Sequence, residues 1–291
     1  MARLEVSNSR LTQVGAMPVR RALPRRAHRS VGAWCFADHM GPAAVSIQHG
    51  LDIGPHPHTG LHTLTYLVSG EALHRDSLGT EQVITPGQVN LMSAGRGVAH
   101  SEEATGHYEG DIHGIQLWIA QPDATRHGPP AFEHHAQLPR ISMGPSLATV
   151  LVGEFHGVRS PTRHDSPLVG VELSIRHPVS LQLQPDFEYA VIVLDGALSC
   201  DGVDLVPGQL GYLGVGNEEL PLHPYEPSRA MLLGGEPFES EILIWWNFVA
   251  RSREEVDSAY DSWQNDDGRF GDLTSPLERI AAPTPYWREP R

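Results

Sequence analysis

Short apolar runs, each closed by a glycine or proline turn, constrain this chain more than any other feature. From Val45 to Ile119 the pattern repeats at close intervals. His62–Val68 (HTLTYLV) has the β-branched and aromatic content of a strand and ends at Ser69-Gly70. Glu71–Arg75 reads as its hairpin partner, Ser77-Leu78-Gly79 as a turn, and Gln82–Thr85 as a further strand. Pro86-Gly87 turns the chain before Val89–Met92, and Gly114–Ala120 (GIQLWIA) is a last strand before Gln121-Pro122. The 29 Gly and 24 Pro residues show no collagen-like period, so they serve as turn residues of an all-β sandwich or barrel rather than of a helix bundle.

The second half repeats this grammar. Tyr189–Leu194 (YAVIVL) ends at Asp195-Gly196, 196 − 70 = 126 positions after Gly70. Pro207-Gly208-Gln209-Leu210 echoes Pro86-Gly87-Gln88-Val89 at an offset of 207 − 86 = 121. Two offsets within a few residues of each other indicate an internal duplication at domain scale. We expect one domain over 1–130 and a second over 131–291, with Ala131–Leu138 as connector between Pro129-Pro130 and Pro139. Near the end, Glu241–Val249 (EILIWWNFV) reads as one long strand. Ser252-Arg253-Glu254-Glu255 then has capping-box form and opens a short C-terminal helix to about Gln264, with Val256, Ala259, Tyr260 and Trp263 on its packed face.

Charge and cysteine content narrow the function classes. The balance is 21 − 35 = −14, and all 21 basic residues are arginine, so a phosphate backbone is repelled overall and direct nucleic-acid binding is not expected. Seven arginines (Arg3, Arg10, Arg20, Arg21, Arg25, Arg26 and Arg29) fall within the first 30 residues beside the single acid Glu5. They read as a solvated edge pairing with the acidic body, the alternative being a basic arm. Cys35 and Cys200 are too few and too distant for a disulfide framework. With no apolar leader and no bilayer-length apolar run, a soluble, cytoplasmic protein that does not engage membranes is expected. A phosphate-cradling glycine loop, a GxSxG elbow and a CxxC pair are all missing from the sequence.

Histidines carry the chemistry. Eight of the 17 lie between His49 and His113. In Gly54-Pro55-His56-Pro57-His58, residues i and i+2 of an extended segment point to one side, about 6.6 Å apart, and can lean onto a common ion. Pro57 favours an edge position, where a site stays open. The stretch Gly95-Arg96-Gly97-Val98-Ala99-His100-Ser101-Glu102 offers a second i, i+2 pair, a histidine and a carboxylate. Two such pairs face to face supply three imidazoles and one carboxylate and leave coordination positions for a substrate. Fe(II), Mn(II), Ni(II) or Cu(II) suit that set better than a closed zinc site. The competing reading is a set of ordinary strand histidines. Counting in the second half lands on Gln182, Gln184, Pro221 and His223, so one metal, in the first half, is expected. His62 shares parity with His56 and His58 and reads as a non-ligand, with an extra ligand or a gate as the alternatives. Glu103 is expected to face solvent, His74 and His113 to be hairpin and strand-end residues, and His107, His134 and His135 to lie on the surface.

Gly50-x5-His56-x-His58 followed by Gly97-x2-His100 resembles the paired motifs of the cupin superfamily. PHPHTGLHTLTYLVSG, EALHRDSLG, SAGRGVAHSE, RSVGAWCFADHMGP, HGIQLWIAQP and ILIWWNFVA are together similar to pirin segments, from about Arg29 to Gln264. The resemblance implies two tandem jelly-roll cupin barrels, with one Fe(II)/Fe(III) ion in the first held by His56, His58, His100 and Glu102. Manganese, nickel, copper and zinc are the alternatives. Where many relatives carry a glutamate four residues after the second histidine, this chain has His62. Resemblance to bacterial pirins implies a quercetinase-type flavonol 2,3-dioxygenase acting on a small aromatic substrate and O2. Glu102 would be both ligand and base, with Arg96 a candidate to steady the substrate anion. Resemblance to other pirins implies instead an iron-dependent, redox-sensing regulator that docks on a protein partner such as a transcription factor or metabolic enzyme. A monomer is expected.

Overall fold

The computed structural model describes residues 4–289 as two β-barrels packed against each other, with a C-terminal arm closing over the first. In the first barrel a seven-stranded sheet runs in the order Ala131–His135, Val89–Ser93, Leu61–Ser69, Gly110–Ala120, Trp34–Val45, Met17–Leu23, Arg10–Val14. Facing it is a four-stranded sheet ordered Ile53–His58, Val98–Glu103, Ala72–Asp76, Glu81–Ile84. The second barrel repeats the arrangement. Its small sheet orders Val179–Gln182, Glu219–Pro224, Leu198–Cys200 and Val203–Leu205, and its large one is centred on Glu188–Asp195, Ser228–Gly235 and Leu168–Ile175. The all-β, twofold-repeated architecture expected from the sequence is the observed one.

Local turns were legible, but strand partners were not. Ala72–Asp76 does not pair with Leu61–Ser69, its expected hairpin partner. At Gly70 (φ 90°) the chain crosses to the opposite sheet, where Ala72–Asp76 pairs with Glu81–Ile84 and Val98–Glu103. Pro86-Gly87 likewise carries the chain back, so Val89–Ser93 joins Leu61–Ser69 rather than Glu81–Ile84. This alternation between sheets is the jelly-roll path. Sheet membership also crosses the expected 130/131 boundary twice. Ala131–His135, within the stretch read as a connector, pairs with Val89–Ser93, and Glu5–Asn8 pairs with Gln209–Leu213 of the second barrel.

The two large sheets pack through their outward faces. Ala37, Leu64, Tyr66, Leu91, Ile115 and Leu117 of the first meet Leu151, Ala190, Ile192, Leu194, Met231 and Leu233 of the second in one apolar cluster. Successive residues of a strand point to opposite faces, and here both faces are covered, which is why HTLTYLV and YAVIVL carry so few exposed positions. The second barrel is filled by Leu181, Leu183, Leu198, Leu205, Leu220, Leu222 and their neighbours. Its inward positions are thus leucines, one residue away from the Gln182, Gln184 and His223 reached by counting; Gln182 and His223 are exposed.

Glu241–Val249 is not one strand. It is a tight hairpin, Leu243–Trp245 with Phe248–Ala250, turned at Trp246 (φ 50°). The helix follows over Arg253–Asn265, its N-cap Ser252 accepting from the Glu255 amide and its buried face formed by Val256, Ala259 and Trp263. Hairpin, helix and tail fold back on the first barrel: Val249 N donates to Thr59 O, Ala99 N to Phe270 O, and Ile280 N to Pro55 O. Gly54 permits this approach, since a Cβ there would lie 2.0 Å from the carbonyl oxygen of Glu278. No helix among the described residues is long and apolar enough to cross a membrane.

Candidate metal centre

The four-stranded sheet of the first barrel brings the histidines together. Val98–Glu103 pairs antiparallel with Ile53–His58, setting His100 directly opposite His56 and Val98 opposite His58. The register shifts between His56 and Ile53, where Gly54-Pro55 forms a bulge, and Ile53–His58 is the sheet edge, as the prolines required. All three histidines are buried, and their ligating nitrogens lie within 4.8 Å of one another. His58 Nε2 and His100 Nε2 are 3.1 Å apart. Two nitrogens bound at right angles ~2.1 Å from one ion stand about 3.0 Å apart, so this spacing fits a shared cation. Glu102 is buried and lines the same cavity but stands outside that tight group of nitrogens.

Burial sets the charge state of these side chains. It lowers His56 to about 4, against the hydrogen bond to Gly54 O, and holds His58 and His100 well below the ordinary histidine range, with their mutual proximity adding to the effect. Neutral imidazoles present the lone pairs that a metal needs. Desolvation pushes the Glu102 carboxyl up to about 7. Neighbouring hydrogen bonds fix the tautomers. His56 Nδ1 donates to Gly54 O at 2.8 Å, which leaves Nε2 as its acceptor. For His100 the chain is longer: its Nδ1 is 3.3 Å from His74 Nδ1, and His74 Nε2 donates to Asp76 Oδ2 at 3.0 Å. Asp76 stays ionised because the hydrogen bonds from His74 and Thr80 outweigh the upward push of its burial. His74 is the hairpin residue expected and not a member of the cluster, but it is a buried strut stacked on Phe132, and His100 Nε2 is left free to face the cluster.

Several other expectations are corrected. His62 is outside the cluster, as the non-ligand reading expected, but it does not share a face with His56 and His58: it lies in the opposite sheet. Gly60 (φ 70°) breaks the strand after His58, so parity does not carry across, and both His62 ring nitrogens are engaged, with Ser93 Oγ at 2.8 Å and Asp165 Oδ2 at 3.1 Å. Glu103 is not solvated: it is buried and accepts from Ser101 Oγ, Ser275 Oγ and Arg75 Nε, two of these within its own sheet and one from the C-terminal arm. His113 is buried against His39, Nε2 to Nε2 at 2.8 Å, in the region between the barrels. Arg96 is exposed and lines a separate pocket with Arg126 and Arg269, away from the histidines.

A cavity of ≈ 410 Å³ opens onto the cluster. One wall is aromatic. Phe36 and Trp118 stack at 3.9 Å and 13°, and Trp118 meets the His58 ring edge-on at 5.1 Å. Val14, Met17, Val19, Met40, Leu51 and Ile53 add apolar lining, and Trp246, Asn247 and Ile280 come from the C-terminal arm. A polar row crosses the inner face of the large sheet: Asp38, Gln116, Thr65 and Asn90 are successive register partners. Thr65 Oγ1 donates to Gln116 Oε1 at 2.7 Å, and Arg21 pairs with Asp38 through Nε and Nη2 at 2.8 and 2.7 Å. The large sheet thus carries a polar row on its inner face and an apolar outer face, the latter covered by the second barrel. Asp38, Thr65, Gln116, Trp246 and Asn247 lie in segments that resemble the family, but their spacing gave no sign that they meet; folding brings them to the cavity.

Comparison with known proteins agrees with the fold. The sequence pattern of pirin matches residues 16–119, and that of the pirin C-terminal cupin domain matches residues 168–271. A Pseudomonas aeruginosa protein provisionally named quercetin 2,3-dioxygenase is 46% identical over 278 residues, covering 94% of this chain and 88% of the relative. A Caulobacter vibrioides pirin-like protein is 39% identical over 276 residues, covering 92% and 95%. The crystal structure of an Acinetobacter baumannii quercetin 2,3-dioxygenase superposes with a TM-score of 0.95 at 41% identity, covering 99% of this chain and 97% of that one. On its two barrels, its clustered histidines and these matches, this chain belongs to the pirin family.

Proposed function

We propose that the cavity is the active site of an iron-dependent flavonol 2,3-dioxygenase, with His56, His58, His100 and Glu102 as the metal ligands. One observation carries the reading: three neutral imidazoles and a buried carboxylate line a cavity of ≈ 410 Å³ whose wall is aromatic. A cavity of that size suits turnover of a small aromatic molecule, whereas a regulator that only senses the metal's oxidation state needs none. The names of the Pseudomonas and Acinetobacter relatives support the same substrate class.

When bound, iron supplies Lewis-acid polarisation of a substrate hydroxyl and the redox step that couples the flavonol to O2. This chain's residues do the rest. The Phe36–Trp118 wall receives the planar rings, and Met17, Val19 and Met40 keep water out. Glu102, whose carboxyl burial pushes up to about 7, takes the 3-hydroxyl proton in its ionised form and returns it to the carboxylate of the product. Both atoms of O2 enter the product ester and carboxylic acid, and carbon 3 leaves as CO, so the reaction balances without another oxidant. The Gln116 amide, its oxygen engaged by Thr65, has its NH2 group to donate to a ring oxygen.

Anaerobic reconstitution with Fe(II), followed by quercetin and air, tests the reading. Loss of flavonol absorbance with stoichiometric CO is expected. Unchanged absorbance and no CO refute it. Elemental analysis of the purified protein beside His56→Ala tests the ligand assignment, with loss of the bound metal expected in the variant.

A further inference from the structure

Arg3 lies outside the described residues; of the other early arginines, Arg10, Arg26 and Arg29 are exposed as a solvated edge would be, but four share a groove. Arg10, Arg21, Arg25 and Arg26 line a groove of ≈ 490 Å³ together with Ile244, Phe36 and Trp246. Arg21, Phe36 and Trp246 also line the metal-site cavity, so the two spaces share a wall. That wall is a continuous stack. The Arg21 guanidinium lies 4.5 Å from the Phe36 ring centre, Phe36 stacks on Trp118 at 3.9 Å, and Trp118 meets His58 at 5.1 Å. Asp38 neutralises Arg21. Arg10, Arg25 and Arg26 form no ion pair among the described residues, and no Asp or Glu lines the groove. On a chain of net charge −14, three guanidinium groups without an ion-pair partner beside the cavity, Arg10 within the field of Asp38, are a local inversion of the protein's field.

We infer that this groove is a recognition subsite for an anionic oxyacid group on the substrate, so that the preferred substrate is a planar phenolic molecule bearing a sulfate ester or a uronate carboxylate on the ring remote from its metal-binding oxygens. Arginine suits the task because its planar fork binds sulfate and carboxylate oxygens bidentately and stacks on aromatic faces. An apolar cavity takes the ring system, and the guanidinium groups take the substituent that would be expelled from it. The inference rests on the dioxygenase reading for the orientation of the substrate, but the groove's preference for an anion stands apart from turnover.

The test is anaerobic equilibrium binding to the iron-loaded protein, followed through quenching of tryptophan fluorescence, with quercetin, its 7- and 4′-sulfates, its 7-glucuronide and the neutral 7-glucoside. At least one anionic conjugate is expected to bind about tenfold more tightly than quercetin, the worth of one charge-assisted hydrogen bond. The glucoside should gain nothing, the advantage should shrink as salt is raised, and Arg25→Gln/Arg26→Gln should remove it. The sulfate and glucuronide arms identify which anion is preferred. Equal affinity for quercetin and every anionic conjugate overturns the inference and leaves the dioxygenase reading intact. The same holds if the glucoside binds as tightly as the anions. Tight, arginine-dependent binding of an anionic conjugate without any oxygen consumption on admitting air supports the subsite and overturns the dioxygenase reading. The salt series on the unaltered protein gives the answer even if the double variant does not fold.

Discussion

Asp76→Asn is expected to weaken metal binding without unfolding the barrel. Asp76 Oδ1 accepts the Leu78 and Thr80 amides at 2.9 and 3.0 Å, while Oδ2 accepts from His74 Nε2 at 3.0 Å. In the variant the amide oxygen stays on the two backbone donors, because the flipped orientation would set an NH2 group against both of them and lose two hydrogen bonds instead of one. The NH2 group then faces His74 Nε2, which must become an acceptor, and the proton moves to His74 Nδ1. Across the 3.3 Å contact His100 Nδ1 must then accept, so the His100 proton moves to Nε2 and blocks the lone pair that faces His58. Outer hydrogen bonds of this kind are worth about 10- to 100-fold in metal affinity, or about 1.4–2.7 kcal/mol. Anaerobic competition for Fe(II) against a chromophoric chelator measures it, beside the thermal midpoint of the metal-free protein as a control for folding. An Asp76→Asn affinity within about twofold of the parent, with the midpoint unchanged, would refute the tautomer chain.

Other expectations follow from the packing. Burial first, then the neighbouring His113, lowers His39 to about 3, so this imidazole stays neutral in the fold yet takes a proton near pH 6.5 once unfolded. The share of stability carried by His39 therefore falls as pH drops through that window, by about 2 kcal/mol between pH 7.5 and 5, beside the shares of the buried His56, His58 and His100; the loss read from urea unfolding at both values should be smaller by that amount in His39→Leu, and an identical pH dependence in both proteins counts against it. Gly54→Ala drives a Cβ to within 2.0 Å of the Glu278 carbonyl and should cost about 1–3 kcal/mol, with faster proteolysis of the C-terminal arm; an unaltered cleavage rate contradicts the packing. Trp118→Ala removes the stack on Phe36 and the contact with His58, destabilising the barrel by about 3–5 kcal/mol and raising the KM for quercetin; a KM unchanged in the folded variant argues against the aromatic wall.

Short-range chemistry made much of this protein readable from residues alone. Turn residues such as Gly70 and Pro86-Gly87, strand composition, the Ser252 cap and the i, i+2 pairing of His56 with His58 are all properties of neighbours in the chain, and the duplication shows as the same local signals recurring. What failed were inferences that extended a local period through a break. Parity from His58 to His62 ends at Gly60, the expected hairpin at Gly70 is a crossing between sheets, and Glu241–Val249 turns at Trp246. Glu103 alternates with Glu102 as expected, but the C-terminal arm covers the face it points to, and Ser275 replaces water as its partner.

By itself the sequence determined that the chain is a duplicated β-protein and that three histidines and a glutamate have the spacing of ligands, since strand period and turn chemistry are set within a few residues. The tertiary structure alone decided what surrounds them: the His74–Asp76 strut, the Phe36–Trp118 wall, the arm residues Trp246 and Ile280, and the arginine groove. The His74–His100, Phe36–Trp118 and Pro55–Ile280 contacts join positions 100 − 74 = 26, 118 − 36 = 82 and 280 − 55 = 225 residues apart, and their free energy comes from burial between sheets, which no local pattern encodes.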